Sequence, residues 1–502
     1  KGYSGFDVNS FSENPFLASA TDPRPGSICL KGVYQSVLSK DINGTTRLNP
    51  PTIGCAESAG GLSLDAEISA FVKPVFPVAS GNNDIEVTIK NKGLVTLTSL
   101  TVSVRLGATT RTINWTGSLA SCQETNVLFT GADQLNIGPG KNNINAFVSG
   151  PNGGVDQNNQ NDTIKADFCT PFSAGTYTID PSGTGPNNYK SFTEVTDILN
   201  CGGVNGAVVF DVAAATYTER LELSFVKGAS SSNTITFNGA GIGSTILVHP
   251  VATNSSLVSI LGTSYVTVKN MTLQLTNNNN MAAVRIALKS DYVTIQNNSI
   301  EFSIYSSATT FGVTFGDNST ATGGNESTGS LIEGNSFRNV FYGVQMRGAS
   351  TSANSSRITI RNNKFTGLYG YGVYMSYGSE IDIDKNTFEF GNYANSYGIY
   401  TTSGITNTIR NNSFKDVGIY GMYIINDNNG SLIYNNMIAN FLTTSTGTYG
   451  GIYTSSTNSL LIYHNTIYFN PTTLATTGNR AALYLNFSNN ADVRNNIFIY
   501  AG

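Results

Sequence analysis

Between residues 293 and 498 the chain writes one short phrase eight times. "VTIQNNSI" (293–300), "SLIEGNSF" (330–337), "ITIRNNKF" (358–365) and "IDIDKNTF" (381–388) come first. "NTIRNNSF" (407–414), "SLIYNNMI" (431–438), "LLIYHNTI" (460–467) and "ADVRNNIF" (491–498) complete the series. The second Asn position of the phrase holds Asn298, Asn335, Asn363, Asn386, Asn412, Asn436, Asn465 and Asn496. An earlier copy, "VTVKNMTL" (266–273), carries Met271 there. Successive aligned Asn residues lie 23 to 37 apart. A self-similar period in that range marks a stacked repeat architecture.

A second column lies between these phrases. "FGVTF" (311–315), "YGVQM" (342–346), "YGVYM" (371–375), "YGIYT" (397–401), "YGMYI" (420–424) and "GGIYT" (450–454) align, flanked by "AAVRI" (282–286) and "AALYL" (481–485). The pattern reads as two short strands per repeat. Neither buries an apolar face alone, but stacked copies do, each strand pairing with its equivalent one turn away at roughly 4.8 Å. The expected fold is therefore all-β: a parallel, right-handed β-helix over 204–502. Asn at each corner tolerates left-handed backbone, and its amide both donates and accepts along a stack of identical amides. The eight Asn residues are thus read as a structural ladder. Phe337, Phe365, Phe388, Phe414, Ile438, Ile467 and Phe498 should point inward.

Upstream, "SFTEVTDILNC" (191–201) is the clearest helix. Ser191 and Glu194 form a capping-box pattern, and Phe192, Val195, Ile198 and Leu199 share one face. Such a helix within 169–203 should plug the open end of the β-helix core. Residues 61–168 alternate apolar and polar positions between turn-rich intervals ("DIEVTIKNKG", "SLTVSVRL", "NINAFVSG"), which suggests an Ig-like β-sandwich with Trp115 in or near its core. "DQNNQND" (156–162) has the composition of a calcium loop but lacks the central Gly and closing Glu of an EF-hand, so a hairpin turn is expected. Residues 1–60 fit neither pattern.

Only 12% of residues are charged, the net charge is −4, and no block of like charge occurs, so nucleic acid and anionic membrane are poor partners. No apolar run is long enough to insert in a membrane. The opening "KGYSGFDVNS" has neither an initiator Met nor a signal-peptide core, so the chain reads as a mature or excised piece. Of five cysteines, Cys29 with Cys55 and Cys169 with Cys201 are candidate disulfides, with buried free thiols as the alternative.

Three sets of side chains bear on function. Glu380, Asp382 and Asp384 in "SEIDIDKN" should share the outer face of one strand, where they could hold calcium or act as acid and base. Arg361 and Arg410 on neighbouring turns offer charge pairing instead, and the two histidines, His249 and His464, read as structural. Tyr374, Tyr400, Tyr423, Tyr453 and Tyr484 should stack as an outer stripe, a face for sugar rings or a neighbouring protein, or simply ladder stacking. No resident cofactor is implied.

The segment "DVNSFSENPF" followed by "DINGTTRLNPPTIGCAE" resembles the closing turns of β-helix domains in secreted proteins of the Bacteroidota. "NWTGSLA" and "NGGVDQNNQNDT" resemble the CARDB-like immunoglobulin modules of the same proteins, and Cys55 stands where that family commonly has Ala. The resemblance implies export, often by type IX secretion, and membership of large repetitive, adhesin-like surface proteins. It makes residues 1–60 the closure of a preceding or neighbouring β-helix. The expected role is a structural or adhesive module of a surface protein or filament, partnered by further copies and by surface glycans. A polysaccharide lyase or hydrolase, and a non-catalytic carbohydrate-binding rod, are the alternatives.

Overall fold

The computed structural model describes residues 17–19, 22–25, 28–58, 60–250, 255–275, 282–303, 309–316, 326–350, 353–390, 396–427, 430–441, 449–469 and 480–500. The "DVNSFSENPF" segment (7–16) lies outside them. The chain divides into two units, Lys1–Thr170 and Pro171–Gly502.

The second unit is a parallel β-solenoid. Among its described residues, three sheets of 13, 11 and 10 strands are built from successive turns. One turn comprises Thr359–Arg361, Lys364–Leu368 and Tyr371–Ser376, and the next Asp382–Asp384, Thr387–Phe390 and Tyr397–Thr402. Ile360 pairs with Ile383, Phe365 with Phe388 and Val373 with Ile399. Each repeat therefore holds three strands, not the two expected. The phrase "ITIRNNKF" is bent in its middle. Asn362, the first Asn of the pair, is left-handed at φ 55°, and its equivalents Asn297, Lys385, Asn411, Asn435, His464 and Asn495 lie at 53–58°.

That bend divides the corner's work between neighbours. The left-handed residue turns the chain, while the Asn after it turns its amide inward. Asn363 donates its backbone N–H and its Nδ2 to Oδ1 of Asn386, both at 3.0 Å, and Nδ2 also reaches the Ile332 carbonyl at 2.8 Å. The same connections link Asn298 to Asn335, Asn335 to Asn363, Asn386 to Asn412, Asn412 to Asn436, Asn436 to Asn465 and Asn465 to Asn496. Burying an amide is costly unless its hydrogen bonds are replaced, and here each turn supplies them to its neighbour.

Behind the ladder, Phe337, Phe365, Phe388 and Phe414 are fully buried and stack at centroid spacings of 4.6, 4.8 and 4.7 Å. Ile438 and Ile467 continue the column, and Phe498 is 43% exposed in the last described turn. The glycine of each "YG" pair faces these rings. A Cβ on Gly372 would stand 2.5 Å from Phe388 Cδ1 and 2.6 Å from the Gly398 carbonyl, so only glycine fits.

Helix α1 (Phe192–Gly202) caps the first turn. Ser191 Oγ accepts the Glu194 N–H at 3.1 Å, and the Glu194 carboxylate accepts the Lys190 N–H at 2.8 Å. The Glu219 carboxylate satisfies the N–H groups of Phe192 and Thr193. Phe192, Val195, Ile198 and Leu199 are buried, and Phe192 packs on Tyr217 and Phe237 inside the solenoid.

In the first unit a four-stranded antiparallel sheet is ordered Thr163–Cys169, Lys141–Ser149, Leu97–Leu106, Thr109–Leu119. A second sheet holds Ala66–Lys73, Ile85–Asn91 and Glu124–Phe129. Ile85, Val87, Ile89, Val102, Val104 and Phe129 form the shared core, with Trp115 half-buried against it. Residues 28–58 carry isolated bridges (Lys31 to Thr52, Lys40 to Thr46) rather than a solenoid turn. The expected Cys29–Cys55 bond is not formed: Cys29 bonds to Cys122 in the sandwich, and Cys55 is a free, exposed thiol. Cys169 and Cys201 are both disulfide-bonded.

Candidate binding face on the third sheet

Tyr374, Tyr400, Tyr423, Tyr453 and Tyr484 occupy one register position on successive strands of the third sheet. Their rings stack at 5.2, 5.1, 4.6 and 5.3 Å. Beside them runs a second column that strand alternation had hidden. Phe311, Tyr342, Tyr371, Tyr397 and Tyr420 stack at 5.2, 5.0, 5.1 and 6.1 Å. Edge-to-face contacts join the columns, as between Tyr371 and Tyr374 at 5.3 Å and Tyr397 and Tyr400 at 5.6 Å.

Residues three apart on a regular strand point to opposite faces. Tyr371 and Tyr374 share a face because Gly372 and Val373 are both buried, two consecutive inward residues. The signal was the glycine between the tyrosines. Partial burial pushes the Tyr400 phenol up to about 12, and burial raises Tyr371, Tyr397 and Tyr420 as well.

A polar row flanks the two columns. Arg347, Ser376, Thr402, Ile425, Ser455 and Asn486 share the next outward register position. Asn486 Nδ2 donates to the Tyr453 hydroxyl at 3.2 Å and to Ser455 Oγ at 3.3 Å. At the head of the row the Arg347 guanidinium lies 5.1 Å over the Tyr374 ring. Among the described residues no carboxylate pairs with it.

The acidic row is arranged differently from the expectation. Asp382 and Asp384 lie on one strand, but Glu380 precedes it at a left-handed, exposed corner with φ 53°. Asp384 falls in register between Arg361 and Arg410. Arg410 grips Asp382 through Nε at 3.1 Å and Nη2 at 2.9 Å, and stands 3.4 Å from Asp384, whose Oδ1 also accepts from Asn411 at 2.7 Å. Arg361 pairs with Glu333 at 2.6 Å and holds that carboxyl below its usual range. His464 occupies a corner and His249 is buried beside Ser255. Among the described residues no three His, Cys, Asp or Glu side chains are placed to hold a metal ion.

In the sandwich, "DQNNQND" folds back on the first strand. Asp156 accepts the N–H groups of Ala66 at 2.8 Å and Asn158 at 2.9 Å, while Asn161 Nδ2 donates to Asp65 at 2.8 Å. Burial, then the nearby Asp156 and Asp65 charges, push Asp162 up to about 6.

Residues 204–438 and 351–502 match the family described as the right-handed beta helix region, and together they span more than half of the chain. The chain belongs to this family. The chain is also similar to solved structures. The catalytic domain of an α-1,3-glucanase in complex with nigerose is 13% identical, with 87% of this chain and 96% of that one covered and a TM-score of 0.40. A surface adhesin of Streptococcus pneumoniae is 13% identical, with 62% and 91% covered and a TM-score of 0.42. The CARDB domain of a Pyrococcus furiosus protein, in complex with di-metal ions, is 29% identical over 21% of this chain and 84% of that one, with a TM-score of 0.17. A search of curated proteins finds no match. On the outside of the β-helix, Arg410 holds Asp382 and Asp384, while Tyr374, Tyr400, Tyr423, Tyr453 and Tyr484 are partly exposed and Phe311, Tyr342 and Tyr420 are buried beside them.

Proposed function

We propose that this chain is a non-catalytic structural and adhesive module of an exported surface protein, a stiff β-helix rod that works beside further copies of itself. The observation that carries the reading is the bidentate hold of Arg410 on Asp382. A general acid or base must exchange a proton with substrate, and a nucleophilic carboxylate must reach it. Asp382 offers both oxygens to the next turn instead. The outward charges of the first sheet stitch turns together, as the Asn ladder does at the corner.

The test compares the wild-type chain with the Asp382→Asn/Asp384→Asn double variant on a panel of linear polysaccharides. New reducing ends and unsaturated ends are both measured. The rod reading expects no product from either protein. Product formed by the wild type and lost in the variant would establish the polysaccharide-active alternative.

A further inference from the structure

We propose that Cys55 is a resolving thiol for the Cys29–Cys122 disulfide, so that the first unit has two covalent states. In one, residues 28–58 are pinned to the sandwich through Cys29–Cys122. In the other, they close on themselves through Cys29–Cys55, and Cys122 becomes the free thiol. The proposal goes beyond the adhesive reading and requires no ligand of the β-helix.

The first observation is one of register. Lys31 bridges Thr52 in the antiparallel sense. The Gly32 N–H donates to the Pro51 carbonyl at 2.8 Å, and the Ile53 N–H donates to the Leu30 carbonyl at 2.7 Å. Carried along this pair, the register sets Cys29 opposite Gly54, and Cys55 is the next residue. Facing residues of an antiparallel pair lie about 4.5–5.5 Å apart at Cα, inside the roughly 4.4–6.8 Å that a disulfide spans. Gly54 turns the chain there at φ 115°, so the strict alternation of sides ends before Cys55.

The second observation is that this turn is held in place. The Cys55 carbonyl accepts the Ile42 N–H at 2.9 Å and an Arg47 guanidinium N–H at 3.3 Å. The same Arg47 nitrogen reaches the Gly54 carbonyl at 3.0 Å. Asp41 Oδ2 accepts the Glu57 N–H at 2.9 Å, and Glu57 Oε2 accepts the Thr52 N–H at 3.0 Å. A nucleophile already fixed beside its target has little freedom left to lose on attack. Cys55 is free and exposed, and Cys29 and Cys122 are only half-buried.

In the exchange, the Cys55 thiolate attacks Cys29 Sγ. The Cys29–Cys55 bond forms as the Cys29–Cys122 bond breaks, and the departing Cys122 thiolate takes up the proton that Cys55 released. One thiol and one disulfide stand on each side, so no oxidant or reductant is consumed. The consequence is mechanical. The Cys29–Cys122 bond joins residues 93 apart and encloses the strands Ala66–Lys73, Ile85–Asn91, Leu97–Leu106 and Thr109–Leu119. A pull on the chain ends cannot extend those strands while the bond stands. After exchange the closed loop ends at Cys55, and all four strands lie outside it.

The experiment incubates the full chain at about pH 8 without reductant, where the attacking thiolate is populated. Free thiols are blocked with N-ethylmaleimide at intervals, and labelled and cross-linked peptides are mapped by mass spectrometry. The label should sit on Cys55 at the start. With time it should appear on Cys122 together with a Cys29–Cys55 cross-linked peptide, at a rate independent of protein concentration. Cys55→Ser should keep Cys122 unlabelled throughout. Cys122→Ser removes the competing partner. In about 0.1 mM oxidised glutathione the folded variant should form Cys29–Cys55 over glutathione mixed disulfides by roughly tenfold, as a millimolar effective concentration requires. A wild-type chain whose Cys122 stays unlabelled, or an exchange rate proportional to protein concentration, would overturn the proposal. So would a folded Cys122→Ser variant that accumulates mixed disulfides on both Cys29 and Cys55. Should Cys122→Ser fail to fold, the wild-type time course decides alone.

Discussion

An asparagine can hold a left-handed corner or build a ladder, and this chain assigns the two roles to adjacent residues. In "NN" pairs such as Asn362–Asn363 the sequence shows two identical letters. The structure gives the first a φ of 55° and the second the hydrogen bonds to the next turn. The column was legible from the spacing; the division of labour was not, because both roles suit the same side chain. Lys385 and His464 show that the corner tolerates other residues when neighbouring turns hold it. The ladder position is less forgiving. Asn412→Ala would remove the acceptor of the Asn386 N–H and Nδ2 and the donor to the Ile383 carbonyl. Stranding buried polar groups should cost on the order of 3 kcal/mol, read as a shift in the denaturation midpoint. Asp162 yields a second prediction at this scale. Its folded pKa, about 6, exceeds the ordinary 3.8, so the folded state prefers the protonated acid. Its favourable contribution is complete below pH 4 and is lost as pH rises through 6. Asp162→Asn should raise the melting temperature of the chain at pH 7 and change it little at pH 4. A loss of stability at pH 7 would show that the charge is compensated.

At the scale of the strand, periodicity gave the existence of the solenoid but miscounted its sides. An alternating pattern carried through "ITIRNNKF" reads as one strand, and only the left-handed residue in its middle breaks it into two. The second tyrosine column was missed for a related reason. Period-two reasoning cannot see that Gly372 and Val373 both turn inward, since that depends on the ring of Phe388 lying against the glycine. Gly398→Ala tests this arrangement, because the new methyl would lie 2.5 Å from both Phe414 Cδ1 and the Gly421 carbonyl. Overpacking of this kind should cost about 1–3 kcal/mol by chemical denaturation. The cysteine pairing was illegible for another reason. Nearness in sequence favoured Cys55 for Cys29, yet Cys122, 93 residues away, is the partner. Pairing follows three-dimensional proximity, which spacing does not encode. Of the acidic row, Asp382 and Asp384 lie on the strand with Asp384 buried, and Glu380 occupies the left-handed corner before it.

For the whole molecule, the β-helix is one continuous core running from the face of helix α1 to Phe469, with no apolar break between turns. Stacked repeats derive their stability from the interfaces between neighbours, so a seam that crosses each interface decides whether the rod behaves as one body. Strand-connecting corners elsewhere in proteins open first, because few buried contacts hold them. Here the corner is hydrogen-bonded from turn to turn. The rod account therefore makes its sharpest claim about those backbone amides. The direct measurement is residue-resolved amide hydrogen exchange on the native chain, read at Asn363, Asn386, Asn412 and Asn436. The account predicts that these corner amides are among the slowest to exchange, as protected as the inward positions Ile360, Ile383 and Ile409. Exchange at the rate of exposed turns, while those isoleucines stay protected, would contradict the ladder as the seam of the rod.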